Sequence, residues 1–205
     1  MKRIFVPALL VAGVAVLGAC SNTQEPAHDM STMSSPTAEQ SPAESAQFND
    51  ADVEFAQMMI PHHQQAVEMS DLIAGKSGID PRILDLAAQI KEAQAPEIEQ
   101  LTAWLEQWGA PVPESGSMGS MDSMDHGSMG GMMSAEDMQA LEDARGSEAG
   151  RLFLSQMISH HQGAVAMAQT EIDEGENPDA IAMAKDIVET QQAEISTMND
   201  LLAQK

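Results

Sequence analysis

Cysteine, basic residues and aromatic residues are scarce in this chain, and each scarcity excludes a class of function. The 205 residues include 9 basic and 32 acidic side chains, which give a formal net charge of −23. A protein of that sign repels phosphate backbones and anionic lipid headgroups, so charge-driven binding to nucleic acid or to a membrane surface is excluded. Cysteine occurs once, at Cys20, so neither an internal disulfide nor a zinc–thiolate cage can form. Methionine is abundant instead, with 17 residues against 4 Phe, 2 Trp and no Tyr.

The N-terminus has the pattern of an export signal. Lys2 and Arg3 precede an apolar run over residues 4–19, which is shorter than the roughly 20 residues of a membrane-spanning helix. A basic start, a short apolar core and small residues at its end are typical of a signal peptide. The run ends in Leu-Gly-Ala before Cys20 and resembles the bacterial lipobox. We therefore predict a signal over 1–19 and a lipid on Cys20 that anchors the exported protein to the cell envelope. An ordinary signal with an unrelated cysteine is the alternative.

The remainder divides into a tether, two helical blocks and a linker. Residues 20–49 are rich in Ser, Thr, Pro and Glu without apolar periodicity, which predicts a disordered tether. Residues 50–108 and 135–204 have helical periodicity, whereas 111–134 are rich in Gly, Ser and Met. No alternating strand pattern with hairpin turns occurs. We therefore predict one all-α domain over 50–205.

The two helical blocks are copies of one another. The segment FAQMMIPHHQQAVEM, which begins at Phe55, aligns with FLSQMISHHQGAVAM, which begins at Phe153, at a constant offset of 98. Each block reads as a helix, a short turn and a second helix, and two such hairpins form a four-helix bundle with pseudo-twofold symmetry. Ser134 and Asp137 resemble a capping box that starts the third helix or a short helix before it.

Eight polar side chains lie on the apolar stripes of these helices. At 100° per residue, each His-His pair flanks the centre of the stripe on the first helix of its block, and a Gln and a Glu lie on the stripe of the second helix. The eight are His62, His63, His160, His161, Gln94, Glu97, Gln191 and Glu194. Because an unpaired polar group in a core costs about 1–3 kcal/mol, they need one another, water or a metal ion.

Two interpretations of this polar layer remain open. In the first, the two glutamates accept hydrogen bonds from the imidazoles and fix the register of the helices. In the second, the histidines bind a metal, and the Gln and Glu residues only orient the ligand imidazoles. Copper affinity of such a core should then fall as the pH drops through about 6.5. A methionine three residues before and seven after each His-His pair adds four thioether candidates, Met59, Met69, Met157 and Met167.

The linker holds a second group of soft ligands. A Gly- and Ser-rich sequence cannot pack large apolar side chains into a core, and thioether sulfur suits Cu(I). The candidates are Met118, Met121, Met124, His126, Met129, Met132 and Met133. We predict that they bind copper, as Cu(I) rather than Cu(II), and that no organic cofactor is needed. Compositional drift in a spacer is the alternative.

The doubled motif resembles a known family. FAQMMIPHHQQAVEMS and the segment from Gly131 to Ile172 are similar to the two halves of the bacterial domain-of-unknown-function 305 family. The resemblance implies an exported, ferritin-like four-helix bundle, and it implies copper binding because some members are periplasmic copper-binding proteins. By position, the family's histidines correspond to His62, His63, His160 and His161, with Met59 and Met157 beside them. Where the family often has Phe-Asp, this chain has Ala149-Gly150.

Three functions remain in competition. The first is an exported, lipid-anchored, non-enzymatic copper binder whose expected partners are the metal and the membrane lipid, with protein partners left open. The second is a ferritin-like iron protein, which usually needs Glu-x-x-His on two helices and two further glutamates. The third is a metal-free helical interaction module. The chain has no nucleophile arrangement, phosphate loop or dinucleotide fingerprint, so we expect no enzymatic activity.

Overall fold

The computed structural model of the protein describes residues 47–113 and 130–204. The predicted signal, the lipid on Cys20 and most of the linker therefore lie outside the described residues. Five α-helices and no strand occur within them. The helices are α1 (Asp50–Ala74), α2 (Pro81–Trp108), α3 (Ala135–Asp143), α4 (Gly146–Glu174) and α5 (Pro178–Ala203). This confirms the all-α bundle, and none of these helices is long and apolar enough to cross a membrane.

Local signals in the sequence fix where the helices begin. Asn49 and the N3 residue Asp52 form a capping box at the start of α1. In α2 and α5 a proline occupies the first turn directly after an N-cap Asp or Asn. Ser134 and Asp137 form the predicted capping box, and it starts the short helix α3, which is separate from α4.

The polar layer divides the core of the bundle into two apolar clusters. On α1, Phe55, Met59 and Ile60 belong to one cluster, and Met69 and Ile73 belong to the other. The His-His pair lies between these two groups in the sequence. The other three long helices are divided in the same way. On each, the second His-His pair or a Gln and a Glu lie between residues of one cluster and residues of the other. Burial of both clusters supplies the main stabilisation of the fold, so we expect the bundle to fold without a metal.

Helix α3 covers one side of the seam between α1 and α4. The Gln65 side chain donates to the Met133 carbonyl at 2.9 Å and accepts from the Met133 amide at 2.7 Å. On α4, Gln156 Nε2 donates to the Asp137 carbonyl at 2.9 Å. Met133 also packs against the core cluster that contains Leu141. The expectation that linker methionines have no core to pack into is therefore wrong for Met133, because the linker ends against the bundle.

The linker returns to the bundle through a close backbone crossing over α4. A Cβ at Gly163 would collide with the carbonyl oxygen of Gly130, and a Cβ at Gly131 would lie 2.6 Å from the Ser159 carbonyl oxygen. Gly131 also has φ +90°, a region that favours glycine. In the first half of the repeat the position of Gly163 is occupied by Gln65, so glycine is needed only where the chain crosses.

Substitution of Gly163 by alanine should destabilise the protein. Overpacking against backbone costs about 1–3 kcal/mol, which exceeds the gain of about 1 kcal/mol in helix propensity. Gly150 on the same helix is a matched control, because a Cβ there meets only the flexible end of Ile83, at 2.9 Å. Urea unfolding should therefore rank Gly150→Ala above Gly163→Ala in stability. Equal or inverted stabilities would contradict the tight crossing.

Candidate metal centre

Four imidazoles form the centre of the bundle and are fully buried. His62 and His63 on α1, and His160 and His161 on α4, each have 0% exposure. His62 and His160 face each other across the α1–α4 seam, with ring centroids 3.7 Å apart and planes tilted by 40°. The inward orientation predicted from the helical periodicity is thus confirmed for all four. One of these two facing rings comes from each half of the repeat, so the two halves meet at this pair of histidines.

A glutamate orients one histidine of each pair. His63 Nε2 lies 2.7 Å from Glu97 Oε2, and His161 Nε2 lies 2.6 Å from Glu194 Oε2. Since a carboxylate only accepts, each Nε2 donates to its glutamate, and each Nδ1 is left without a hydrogen-bond partner. Glu97 is 24% exposed and Glu194 is 14% exposed at the side chain. These two glutamates thus reach from the surface to the buried rings.

Several buried polar atoms in this layer have no partner. Six of the eight ring nitrogens make no hydrogen bond, including both nitrogens of His62 and both of His160. The Oε1 atoms of Gln94 and Gln191, which are buried as the periodicity predicted, are also unpaired. Leaving one such atom unpaired costs about 1–3 kcal/mol. A hydrogen-bond network alone therefore leaves this layer unsatisfied, and a ligand for the imidazole nitrogens fits it.

Burial keeps the facing imidazoles neutral. Desolvation, with a smaller electrostatic contribution from the neighbouring His63 and His161, lowers the pKa of His62 to about 3, against a weak opposing contact with the Gly130 backbone. Desolvation and the neighbouring histidines also lower the pKa of His160 well below its ordinary value. Neutral imidazole is the form that binds a metal. Both rings are therefore in the metal-binding form at neutral pH.

The donor set favours a soft, low-coordinate ion. Among residues 47–113 and 130–204, no group of three or more His, Cys, Asp or Glu side chains is placed so that it could hold a metal. Zinc sites usually have four ligands, and di-iron sites in bundles are rich in carboxylate. Two facing imidazoles with thioethers nearby instead match the ligands of Cu(I), which is stable with few ligands. Because the centroids of these two tilted rings are only 3.7 Å apart, the rings have to move before both can bind one ion.

The structure places the predicted thioethers in the apolar clusters that flank the histidines. Met59, Met69 and Met157 are fully buried, and Met167 is partly buried. Of the linker candidates, only Met132 and Met133 are among the described residues, and both are partly buried. The others, Met118, Met121, Met124, His126 and Met129, lie outside the described residues.

A buried pair of carboxyl groups at one end of the bundle was not predicted from the sequence. Asp52 on α1 accepts backbone N–H groups from Asn49 at 2.6 Å, Asn177 at 2.8 Å and Glu176 at 3.2 Å. Burial raises its pKa, but the hydrogen bonds outweigh burial, so the pKa of Asp52 is lowered. Glu171 on α4 is 0% exposed and neither of its oxygens has a well-formed hydrogen bond. Burial, and then contact with Asp52 and its charge, raise the pKa of Glu171 to about 8.

Replacement of Glu171 by glutamine should stabilise the protein in alkaline solution. Between its ordinary value of 4.5 and about 8, Glu171 is protonated in the folded state and ionised in the unfolded state, so stability falls as the pH rises through this window. Above about pH 8 the wild type holds an unpaired buried charge, and Glu171→Gln should be more stable by about 1–3 kcal/mol. Thermal unfolding at pH 5 and 8.5 measures this, with the exposed neighbour Glu174 changed to glutamine as control. A parallel pH dependence in wild type and Glu171→Gln would contradict the shifted pKa.

The fold and the site define a class: an all-α bundle built from a repeated hairpin, with a buried His-His layer shared between its halves. The family description "Domain of unknown function (DUF305)" matches residues 52–202. The chain belongs to the DUF305 family. No curated protein matches it.

Solved structures of related proteins share this architecture. A putative secreted DUF305 protein from Streptomyces coelicolor is 34% identical, with a TM-score of 0.66 over 75% of this chain and 91% of that one. A DUF305 fragment from Deinococcus radiodurans is also 34% identical, with a TM-score of 0.67 over 77% and 98%. CopM in its Cu(I)-bound form is 33% identical, with a TM-score of 0.59 over 73% and 94%. CopM has also been solved with Cu(II), with silver and in the apo form.

Proposed function

We propose that this protein is an exported, non-enzymatic copper binder that holds Cu(I) in the centre of its helical bundle. The observation that carries the proposal is the set of six buried imidazole nitrogens without a hydrogen-bond partner. Within that set, His62 and His160 face each other at 3.7 Å and are the primary ligands. His63 and His161, held by Glu97 and Glu194, supply lone pairs beside them.

The relatives favour copper over the other metals. CopM, a third identical to this chain over most of both lengths, binds Cu(I), Cu(II) and silver. Iron is disfavoured because both glutamates of the polar layer already bond to histidines, which leaves too few carboxylates for a ferritin-like centre. A metal-free interaction module leaves the buried nitrogens without an explanation.

The location follows from the N-terminal pattern. Cleavage before Cys20 and lipidation of that cysteine would anchor the bundle outside the cytoplasm through the 20–49 tether. A thiolate is easily oxidised in that compartment, so imidazole and thioether are the better soft-metal ligands there. The linker methionines, from Met118 to Met133, are a second Cu(I) site in this proposal.

Metal analysis of the purified protein tests the proposal. Protein isolated from copper-fed cells should contain copper in excess of iron and zinc, because its ligands are imidazoles and thioethers. Cells fed each metal in parallel provide the comparison. Protein that returns with iron, or that takes up no metal under any of these conditions, would contradict the copper assignment.

A further inference from the structure

The histidine centre is buried, so copper has to reach it through the protein. On the α1–α4 seam lies a cavity of about 420 Å³. It has exposed carboxylates, thioethers and glycine backbone in its wall. The lining includes Glu54, Met58, Gly163, Met167 and Glu174.

The inner end of this cavity is next to the facing imidazoles. Met58 lies one turn before His62 on α1, about 6 Å along the helix axis, and Gly163 lies one turn after His160 on α4. The Gly130 backbone lines the cavity and is also in contact with His62. The cavity therefore leads from the surface to within one helical turn of both rings.

The pseudo-twofold symmetry of the bundle is broken at this cavity. On the opposite side of the histidines, Gln65 and Gln156 hold the α3 segment over the seam. The repeat places Gly163 and Met58 at the positions equivalent to those two glutamines. The α3 segment thus covers one side, whereas at the equivalent place the Gly130 backbone crosses Gly163 and both glycines form part of the cavity wall.

The wall of the cavity matches the chemistry of a soft cation. Glu54 and Glu174 are exposed where the cavity meets solvent, and a cleft lined by negative charge raises the local concentration of cations. Met58 and Met167 place thioethers in the wall, and thioether binds Cu(I) without having to lose a proton. A cation that enters the cavity would therefore meet carboxylates first and thioethers further along.

We propose that this cavity is the entrance through which Cu(I) reaches the histidine centre, with Met58 as a transit ligand in its wall. The inference rests on the proposed copper site, but it concerns the rate of loading and not the final occupancy. It assigns a role to the cavity that the described residues form on this side of the seam.

Transfer of Cu(I) from its bicinchoninate complex to the full chain tests the entrance. In anaerobic stopped-flow measurements, the phase that is absent from a His62→Gln/His160→Gln variant belongs to the core. Ala166 is exposed and lines the cavity, so Ala166→Trp should obstruct it and slow the core phase by about tenfold or more. The final amount of copper bound should stay the same. Ala182→Trp, at an exposed alanine on α5 away from the cavity, should load at the wild-type rate.

A second variant tests the thioether without adding bulk. Met58→Leu has a similar volume and should slow the core phase several-fold with unchanged final occupancy. Wild-type rates in Ala166→Trp would overturn the entrance, and a loss of core occupancy in Met58→Leu would make Met58 a permanent ligand, which also overturns its transit role. If the wild type and the His62→Gln/His160→Gln variant show the same phases and bind the same final amount of copper, the copper site itself is refuted, and not only the entrance.

Discussion

The double substitution His62→Gln/His160→Gln should abolish copper binding in the core while the bundle stays folded. It removes the two facing imidazoles, which have four unpartnered ring nitrogens. Loss of the ligands should weaken the affinity of the core for Cu(I) by about 100-fold or more, because replacing even an outer-shell partner of a metal ligand costs 10–100-fold. Glutamine fills similar space and can hydrogen-bond to its neighbours, so helix content should be unchanged.

Competition with a chromophoric Cu(I) chelator, together with circular dichroism, measures this effect. The matched control replaces His28 and His126, the two histidines of the sequence that lie outside the HH motifs. The control should retain the core site. If the core variant binds copper with wild-type stoichiometry and affinity, the buried histidines are a structural layer and not a metal site.

The second large effect concerns acid stability of the metal-free protein. His62 has a pKa of about 3 in the folded state, against about 6.5 in an unfolded chain. Between these values the unfolded state binds the extra proton, so stability is full above pH 6.5 and is lost as the pH falls toward 3. At pH 4 the loss from His62 alone is about 3 kcal/mol, and His160 adds to it in the same direction.

Chemical unfolding at pH 7 and pH 4 measures this loss. The His62→Gln/His160→Gln variant should lose much less stability on acidification, since glutamine does not titrate. Asp52, whose pKa is lowered, contributes in both proteins and cancels in the comparison. Equal acid sensitivity of the two proteins would show that the facing imidazoles are not held neutral by burial.

This burial also corrects the pH dependence expected from the sequence. An ordinary histidine site loses copper as the pH falls through about 6.5, and the sequence predicts this loss for His62, His63, His160 and His161. Periodicity alone shows that the rings point inward, but it does not show that they are desolvated on every side and face each other. Burial lowers the pKa of both His62 and His160 well below 6.5, so the folded core should still bind copper at pH 5.

The sequence predicted the fold because its signals are local or repeated. Helical periodicity, the capping box at Ser134 and the offset between the two HH motifs depend on short stretches of chain. The inward direction of Gln94 and Gln191 followed from the same periodicity. Hydrogen bonds from the imidazoles to the glutamates belonged to one of the two interpretations that the sequence left open. The structure shows these contacts, at 2.7 Å between His63 and Glu97 and at 2.6 Å between His161 and Glu194.

Other parts of the site depend on contacts between distant segments. Asp52 could be recognised in sequence as the N3 residue of a capping box, but its bond to the Asn177 amide links residues 125 positions apart. Glu171 stands among several acidic residues and has no local signal of burial. The alignment of the repeats shows Gln65 in the first half and Gly163 in the second. Only the structure explains the glycine, because the Gly130 backbone crosses there and leaves no room for a side chain.

Anomalous diffraction at the copper edge, from crystals loaded with one equivalent of Cu(I), tests the central claim most directly. The proposed site predicts an anomalous peak between the His62 and His160 rings, within bonding distance of a nitrogen of each, with the ring centroids further apart than the 3.7 Å of the metal-free arrangement. A peak only at methionine sulfur, with both imidazoles unliganded and their ring centroids still 3.7 Å apart, would contradict the claim that the buried histidines bind copper.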